Sequence, residues 1–316
     1  MNLLRLLGTR AWIWSFVATA LVWLATVMFT GGLGGGQILT AALSFAVFTV
    51  IVGTGQMFVI TTGPGNVDLS IPATMALSGA VTTKLMDTQD SLVALGVVVA
   101  LGIGVAVGLC NYLLIRLLRI PPIIATLSAS FLVQSTAIAY GRGLRIKPPP
   151  VLADFTTAQV AGVPILALVG LVFTAIMGIV LARTMYGRSV LAVGQNMRAA
   201  WLAGINVERT RLMTYVMSAM LAGLSGLLLS GFSGGSSLNM GEEYLLASIA
   251  VVVIGGTSVA GGRANVPGIW GAALFLYLLV TMLNTFGASA GLRLILTGLI
   301  IIGVITLAGG GEQQKR

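Results

Sequence analysis

The sequence predicts an all-α polytopic membrane protein, and its composition and apolar runs carry that prediction. Of its 316 residues, 57% are hydrophobic and only 8% are charged, whereas a soluble domain carries roughly 25% charged residues. So few charges cannot cover a water-exposed surface. Glycine contributes 42 residues, about twice its usual share. The composition therefore excludes a soluble enzyme, a disordered chain and a disulfide scaffold.

Ten apolar stretches of the sequence are candidate membrane spans, since a span needs about 20 residues to cross a hydrocarbon core of roughly 30 Å. The first stretch exceeds the roughly 7–15 apolar residues of a signal peptide, and further spans follow it directly. We therefore interpret it as a retained helix. The predicted spans are 11–30, 41–61, 69–85, 91–115, 122–140, 163–182, 212–232, 244–261, 266–286 and 292–308.

Basic residues divide unequally between the two sides of these spans. With the N-terminus in the cytoplasm, 12 of them fall on the cytoplasmic side and 5 on the other. Because Lys and Arg collect in cytoplasmic loops, we expect both termini in the cytoplasm. This collection of basic residues on the cytoplasmic side explains the net charge of +9. A nucleic-acid partner is therefore not needed to explain the charge, and none is expected. The cytoplasmic set is Arg5, Arg10, Arg116, Arg119, Arg183, Arg188, Arg198, Arg209, Arg211, Arg263, Lys315 and Arg316, and the other set is Lys84, Arg142, Arg145, Lys147 and Arg293.

The missing residue types exclude several chemistries. The sequence has no His and a single Cys, which leaves no Ser-His-Asp triad, no His-ligated zinc and no intrachain disulfide. Cys110 lies in an apolar helix pattern and is predicted to pack in the interior. No phosphate-binding G-x-x-x-x-G-K-[ST] motif occurs. We therefore expect no metal or cofactor in this chain, and an intramembrane enzyme is disfavoured.

The predicted spans form one transmembrane domain, 1–316, with two halves at about 1–160 and 161–316. Because each half has five spans, a second half that resembles the first enters the membrane from the opposite side, as in transporters with inverted repeats. Glycine-containing interruptions occupy corresponding places, at 61–70 and 231–243. Each interruption ends in an acidic residue that an apolar helix follows.

The first interruption supplies the candidate residues of a translocation path, Asn66, Asp68 and Ser70. Non-helical backbone at membrane depth is tolerated where it is buried in protein or lines an aqueous cavity. Interrupted helices therefore point to a transport path, and intramembrane acids are often functional. The alternative is that Asp68 and Ser70 only cap the helix that starts there, with Pro72 in its first turn.

The second interruption ends in two carboxylates, Glu242 and Glu243. They belong either to a solvated loop or to an external docking surface, and the sequence leaves both alternatives open. Glycines elsewhere in the spans are predicted to let helices pack closely. These are Gly102, Gly104, Gly108, Gly223 and Gly226.

The longest predicted cytoplasmic connection is the loop at about 183–211. Asn196 is a predicted helix N-cap and Gly204 a predicted C-terminal stop. Between them Met197, Ala200 and Trp201 have the spacing of one helix face. A helix of two turns is not stable alone in water. Its apolar face therefore docks either into another protein or onto its own membrane domain, and the residues alone do not separate these alternatives.

Several motifs of this loop resemble the coupling loop of ribose-type permeases of ATP-binding cassette (ABC) importers, the branched-chain/monosaccharide permease family. They are Gly187-Arg188, Ala192-Val-Gly194-Gln-Asn196, Ala199-Ala200 and Gly204-Ile205. Asp68-Leu69-Ser70, Pro121 to Leu127 and Ile254 to Ser258 with Gly261-Gly262 also resemble family motifs. The resemblance extends from about residue 40 to the end.

This resemblance implies a permease subunit in the bacterial cytoplasmic (inner) membrane. Its partners would be a second permease subunit in a homo- or heterodimer, two ATP-binding subunits that hold ATP-Mg, and a periplasmic or surface-tethered sugar-binding protein. The expected solute is a monosaccharide. The residues implied to press into the ATPase groove are Gly194, Asn196, Ala199, Ala200, Gly204 and Ile205.

The motif before Asp68 departs from the family. Gly65-Asn66-Val67 stands where the family has Gly-Gly-Ile, which leaves a nucleoside or another small polar solute as an alternative. A second alternative is a secondary transporter driven by an ion gradient. That mechanism needs an ionisable group at mid-depth, for which Asp68 is the candidate.

Overall fold

The chain is almost entirely helical in the computed structural model, which describes residues 11–32, 34–141, 146–289, 291–293, 295–300 and 302–303. The helices are α1 (Ala11–Phe29), α2 (Gly35–Thr61), α3 (Ile71–Met86), α4 (Val93–Leu117), α5 (Pro122–Gly141), α6 (Pro150–Thr157), α7 (Ile165–Arg183), α8 (Met185–Gln195), α9 (Met197–Leu202), α10 (Val207–Phe232), α11 (Glu243–Ile254) and α12 (Val266–Thr285). A 3-10 helix (Asp90–Leu92) precedes α4, and β1 (Gln159–Val160) and β2 (Val163–Pro164) form an antiparallel hairpin.

Within the described ranges, 7 helices are long and apolar enough to cross a membrane: α1, α2, α4 with its preceding turn, α5, α7, α10 and α12. The prediction of an all-α polytopic membrane protein is therefore confirmed. With 16 and 12 residues, α3 and α11 are shorter, and they rise only about 24 and 18 Å. Ten full-length spans are not observed in the described residues. The predicted span 292–308 falls partly outside them.

Two predicted spans extend beyond the observed helices. Span 69–85 begins inside the first interruption, whereas α3 begins at Ile71. Span 244–261 continues past Ile254, where α11 ends. Gly256, which follows, adopts a φ of 88°. This left-handed conformation favours glycine and ends a helix.

The helix bundle has two ends, which we call the loop end and the hairpin end. At the loop end, the amide of Gly262, just before α12, donates to the carbonyl of Thr61 at the end of α2 (2.9 Å). Helices α8 and α9 lie at this end. At the hairpin end, the rings of Phe29 and Phe286 meet edge to face with centroids 4.3 Å apart. Helices α1 and α12 therefore both begin at the loop end and run in the same direction.

Helix α10 packs on α3 and α4 through glycines whose backbones lie very close to their neighbours. A Cβ on Gly104 would lie 2.3 Å from the Cα of Met220, and one on Gly226 would lie 2.2 Å from the carbonyl oxygen of Met75. The packing prediction is confirmed for Gly104, Gly108, Gly223 and Gly226. It is wrong for Gly102, where a Cβ would have nothing within 4 Å.

Cys110 is exposed on α4, so the prediction that it packs in the interior is wrong. Helix α4 turns Gly108 and Asn111 toward the bundle, and both are buried. Cys110 lies about 200° past Gly108 and about 100° before Asn111 around the helix, since each residue turns the helix by roughly 100°. Its side chain therefore points outward.

The two interruptions, residues 62–70 and 233–242, enter the bundle from opposite ends and meet inside it. The first leaves α2 at the loop end. The second leaves α10 and passes beside α5, where the Gln134 side chain donates to one of its carbonyls (3.0 Å). Gly241 then packs on the start of α3, where a Cβ would lie 2.3 Å from the carbonyl oxygen of Pro72. Helices α3 and α11 therefore begin beside each other.

Candidate functional site

A group of buried polar side chains surrounds Asp68 at the end of the first interruption. Its Oδ1 accepts hydrogen bonds from the Ser70 amide (3.0 Å) and hydroxyl (2.6 Å), and its Oδ2 accepts one from Ser218 Oγ (2.8 Å). Asn111 Nδ2 donates to Ser70 Oγ (2.8 Å). The Asp68 amide donates to Gln56 Oε1 (3.1 Å). All five side chains are 0% exposed, and we call them the Asp68 cluster.

The Asp68 cluster joins α2, α4 and α10 to the start of α3. A buried carboxyl group is costly unless donors surround it, and here donors reach both of its oxygens. Ser218 lies roughly 16 Å along α10 from Val207. The carboxylate is therefore held inside the bundle and away from its ends.

The capping alternative for Asp68 and Ser70 holds only in part. Ser70 is the N-cap of α3, with Pro72 in the first turn as predicted. However, the Ser70 side chain makes no capping hydrogen bond, because its hydroxyl oxygen accepts from Asn111 while the hydroxyl donates to Asp68. Asp68 also accepts a hydrogen bond from Ser218 on α10. Its contacts therefore extend beyond those of a helix cap.

Two polar atoms of the Asp68 cluster have no hydrogen-bond partner in the described structure. They are Gln56 Nε2 and Asn111 Oδ1, and both are buried. Most buried polar atoms in proteins are paired, so an unpaired donor and acceptor in one cluster call for an explanation. The cluster can bond a further polar group without breaking any of its existing hydrogen bonds.

Asn66 connects the first interruption to the loop-end part of α10. Its Oδ1 accepts hydrogen bonds from Arg211 Nη2 (3.1 Å) and from the Tyr215 hydroxyl (3.2 Å). Its Nδ2 donates to the carbonyl of Gly63 (3.1 Å). Asn66 is 5% exposed, so the three predicted path residues are all buried in this conformation. The sequence did not indicate their partners on α4 and α10.

Four glycines, which we call the glycine junction, close the loop end of the bundle: Gly63, Gly194, Gly261 and Gly262. A Cβ on Gly194 would lie 1.8 Å from the carbonyl oxygen of Thr61 and 2.4 Å from the amide nitrogen of Gly262. A Cβ on Gly261 would lie 2.6 Å from the Cα of Gly63. No other residue type fits between these backbones without displacing them.

The glycine junction fastens α8 to two parts of the membrane domain at once. One is the end of α2 with the first interruption, and the other is the connection between α11 and α12. Beside the junction, the Tyr186 ring of α8 stacks on Phe58 of α2, with centroids 5.9 Å apart. Burial raises the pKa of the Tyr186 hydroxyl, which keeps it neutral. A displacement of α8 therefore reaches both neighbouring segments through direct contacts.

The loop at 183–211 contains two helices where the sequence indicated one. The predicted helix is α9: Asn196 Oδ1 accepts from the Ala199 amide (2.9 Å), and Gly204 follows with a φ of 83°. The predicted cap and stop are therefore confirmed. Helix α8 was missed, although its N-cap is ordinary. Thr184 Oγ1 accepts from the Gly187 amide (3.1 Å), and this cap was the signal available.

Some of the residues predicted to contact an ATPase pack against their own chain, and others are exposed. Ala200 is 5% exposed and packs with Val193 and Val207, and Ile205 packs beside them. Gly194 lies in the glycine junction. Those with exposed surface are Asn196, Ala199 and Gly204.

The apolar face of α9 differs from the predicted one. Ala200 faces its own chain, so it does not share an outward face with Met197 and Trp201. Met197 is 42% and Trp201 65% exposed, and Leu202 (72%), which the sequence analysis missed, is also exposed on α9. We call Met197, Trp201 and Leu202 the apolar loop patch.

Glu242 and Glu243 are exposed at the start of α11, where a helix dipole favours carboxylates. Val251 of α11 packs against Gly53 of α2. Residue 244 lies roughly 10 Å before Val251 along α11, which brings it level with the middle of α2. Both glutamates are therefore near mid-length of the bundle. Nothing in the structure tests an external docking role, which stays a prediction.

The chain is similar to known transport proteins over most of its length. The sequence profile of a family described as "Branched-chain amino acid transport system / permease component" matches residues 38–305. The ribose import permease protein RbsC of Bacillus subtilis is 31% identical over 260 residues, 81% of this chain and 80% of the relative. The fructose import permease protein FrcC of Rhizobium meliloti is 31% identical over 273 residues, 84% of this chain and 75% of the relative.

A third relative is the probable ABC transporter permease protein y4mJ of Sinorhizobium fredii, 31% identical over 255 residues, 80% of this chain and 75% of the relative. No solved structure matches the chain. The matched region contains the Asp68 cluster, the glycine junction and α9.

Proposed function

The chain belongs to the family of branched-chain amino acid transport system / permease components, and from this premise we propose that it is the permease subunit of a bacterial ABC importer. In this role it is a passive gate in the cytoplasmic membrane and catalyses no reaction. The proposal treats residues 1–316 as one transmembrane domain. ATP-Mg binds to a separate ATPase subunit, and the absence of a phosphate-binding motif from this sequence supports that division.

A monosaccharide is the proposed solute. Two of the relatives carry ribose and fructose import in their names, and both of these solutes are monosaccharides. A sugar is rich in hydroxyl groups, and the spare donor and acceptor of the Asp68 cluster, Gln56 Nε2 and Asn111 Oδ1, suit such groups. A nucleoside or another small polar solute is the alternative, because Asn66 departs from the family motif.

The proposed path runs past Asn66, Asp68 and Ser70, and the glycine junction is the observation that carries the mechanism. Gly194 lies where α8 contacts both Thr61 and Gly262. ATPase closure against α8 and α9 would therefore move the first interruption and the connection between α11 and α12 together. Alternating access moves one part of a transporter against another around a fixed site, and this coupled movement would have that effect.

The proposed assembly contains two permease subunits, alike or different, two ATPase subunits and a periplasmic or surface-tethered solute-binding protein. The apolar loop patch is the proposed ATPase contact, because exposed apolar surface of this kind marks protein interfaces. Asn196, Ala199 and Gly204 would lie within that contact. Ala200 and Ile205 would support it from behind.

The proposed topology has both termini in the cytoplasm and two inverted halves. The two interruptions support it, because they enter the bundle from opposite ends. Glu242 and Glu243 also fit this scheme. Carboxylates at mid-depth are costly against lipid, so we propose that they face an aqueous path at the contact with the second permease subunit, as an alternative to external docking.

Transport by reconstituted vesicles tests the proposal. The chain is combined with an ATPase subunit and a solute-binding protein of this importer type, and uptake of labelled ribose and fructose is measured with and without ATP. We expect ATP-dependent uptake that needs both partners. Uptake driven by an ion gradient without the ATPase would instead identify a secondary transporter.

The variant Trp201→Ser sharpens the same experiment. Buried aromatic anchors dominate interfaces, so ATPase activity stimulated by the permease should fall about tenfold. Trp14→Ser is the matched control, because Trp14 is 56% exposed on α1, away from the loop. If the two variants stimulate the ATPase equally, the proposal that α9 contacts the ATPase is wrong.

A further inference from the structure

A cavity of about 430 Å³ opens at the loop end of the bundle, between the end of α4 and the starts of α5 and α10. Its charged lining consists of Arg116, Arg119, Arg211 and Glu208. Ile120 and the two prolines that follow it form an apolar side. None of the residues of the Asp68 cluster or the apolar loop patch lines this cavity, and it meets the proposed path through Arg211, which donates to Asn66.

Positive charge exceeds negative charge in this cavity. Glu208 is already engaged, since its carboxylate pairs with Arg116 (2.6 Å) and accepts a hydrogen bond from the Tyr112 hydroxyl. Neither Arg119 nor Arg211 forms an ion pair with a carboxylate in the described part of the chain. Two guanidinium groups therefore line the cavity without a counter-charge.

Arg211 is held by one side-chain hydrogen bond and still has an unpaired donor. Its Nη2 donates to the neutral oxygen of Asn66 (3.1 Å). Its Nε is buried and has no partner among the described atoms. A buried guanidinium nitrogen without an acceptor is unfavourable, and an anion in the cavity offers acceptors to this side chain.

Arg119 adopts an uncommon backbone conformation at the cavity. Its φ is 55°, in the left-handed region that residues with a Cβ seldom occupy. Such conformations cluster at ligand-binding positions, where the surroundings hold them. Here the conformation follows the end of α4, and Arg119 forms part of the cavity wall.

We propose that this cavity binds a phosphate group through Arg119 and Arg211. Guanidinium groups form paired hydrogen bonds with phosphate oxygens. The phosphate belongs either to the headgroup of an anionic phospholipid or to free inorganic phosphate. Basic pockets between membrane helices bind lipid headgroups, and the apolar side formed by Ile120 suits the start of an acyl chain. Through Arg211 and Asn66, an occupied site holds the first interruption.

Thermal unfolding of the purified chain in nanodiscs tests the proposal. One arm compares phosphatidylglycerol with phosphatidylcholine discs, and the other adds sodium phosphate to phosphatidylcholine discs against sodium chloride of equal ionic strength. Ligand binding raises Tm, and we expect a rise of about 3 °C. A rise only with phosphatidylglycerol assigns the site to lipid, and a rise with inorganic phosphate assigns it to the free anion.

Variants of the cavity residues test whether the rise in Tm comes from binding in this cavity. Arg119→Gln should abolish most of the rise, and Arg119→Lys should retain part of it. Arg183→Gln is the matched control, because Arg183 is also exposed at the loop end of a membrane helix, outside this cavity. The proposal is overturned if neither anion raises Tm, or if Arg119→Gln and Arg183→Gln behave alike.

Discussion

The Asp68 cluster and the glycine junction hold the same interruption in place by opposite means. At Asp68, side chains from several helices meet through hydrogen bonds, and two polar atoms remain unpaired. At Gly194, backbone lies directly on backbone, with no space for a single Cβ. Hydrogen bonds can be exchanged with water or a solute at modest net cost, whereas close-packed backbone has no such freedom. The cluster is therefore suited to opening and the junction to transmitting movement.

The largest effect is expected from Gly194→Leu, which breaks the junction. The side chain would collide with the backbone of Thr61 and Gly262. Overpacking of this kind costs about 3 kcal/mol or more. We expect a large loss of folded protein in size-exclusion chromatography, and loss of ATP-dependent uptake in what remains. Gly102→Leu adds the same side chain at an open position and should leave both measurements unchanged.

The next effect concerns Asp68→Ala, which removes the centre of the cluster. Ser70 and Ser218 would lose their acceptor while buried, so the free energy of unfolding should fall by about 2–3 kcal/mol. Asp68→Asn keeps the shape and should cost less. If uptake also falls in Asp68→Asn while its Tm stays near the native value, the charge serves transport. If uptake follows Tm in both variants, the carboxylate is structural only.

The smallest effect is expected from Ser218→Ala. It removes one of the hydrogen bonds to the Asp68 carboxyl group, and such a bond contributes about 1 kcal/mol. Ser230→Ala is the control on the same helix, since the Ser230 hydroxyl bonds only to the carbonyl of Leu227 in the hydrogen bonds observed. Denaturation of the two variants should show the larger loss for Ser218→Ala. Equal losses would mean that the cluster does not stabilise the fold.

The sequence predicted the long helices well, because apolar runs and their flanking charges mark membrane spans directly. It overestimated the spans at 69–85 and 244–261, because apolar composition continues through turns such as Gly255-Gly256. It missed α8, whose residues directly follow a span. Where a helix ends at a glycine with positive φ, backbone conformation decides the boundary and hydropathy does not.

The candidate site was only partly predictable. Asp68 was conspicuous as an acid between apolar spans, but its partners Gln56, Asn111 and Ser218 are single polar residues within apolar runs. Their convergence depends on which faces the helices turn inward. The glycine junction joins positions from three distant parts of the sequence, so local pattern could not indicate that Gly194 faces Gly262. The loop motif identified Gly194, but its close contacts required the fold.

The position of Cys110 makes one further kind of measurement accessible. It is the sole cysteine of the sequence, and it is exposed on α4 beside Asn111 of the Asp68 cluster. A membrane-permeant thiol reagent can therefore attach a fluorophore or a spin label to the native chain at one defined point. The emission of that fluorophore, or the mobility of that spin label, would report changes around α4 through a transport cycle without any engineered residue.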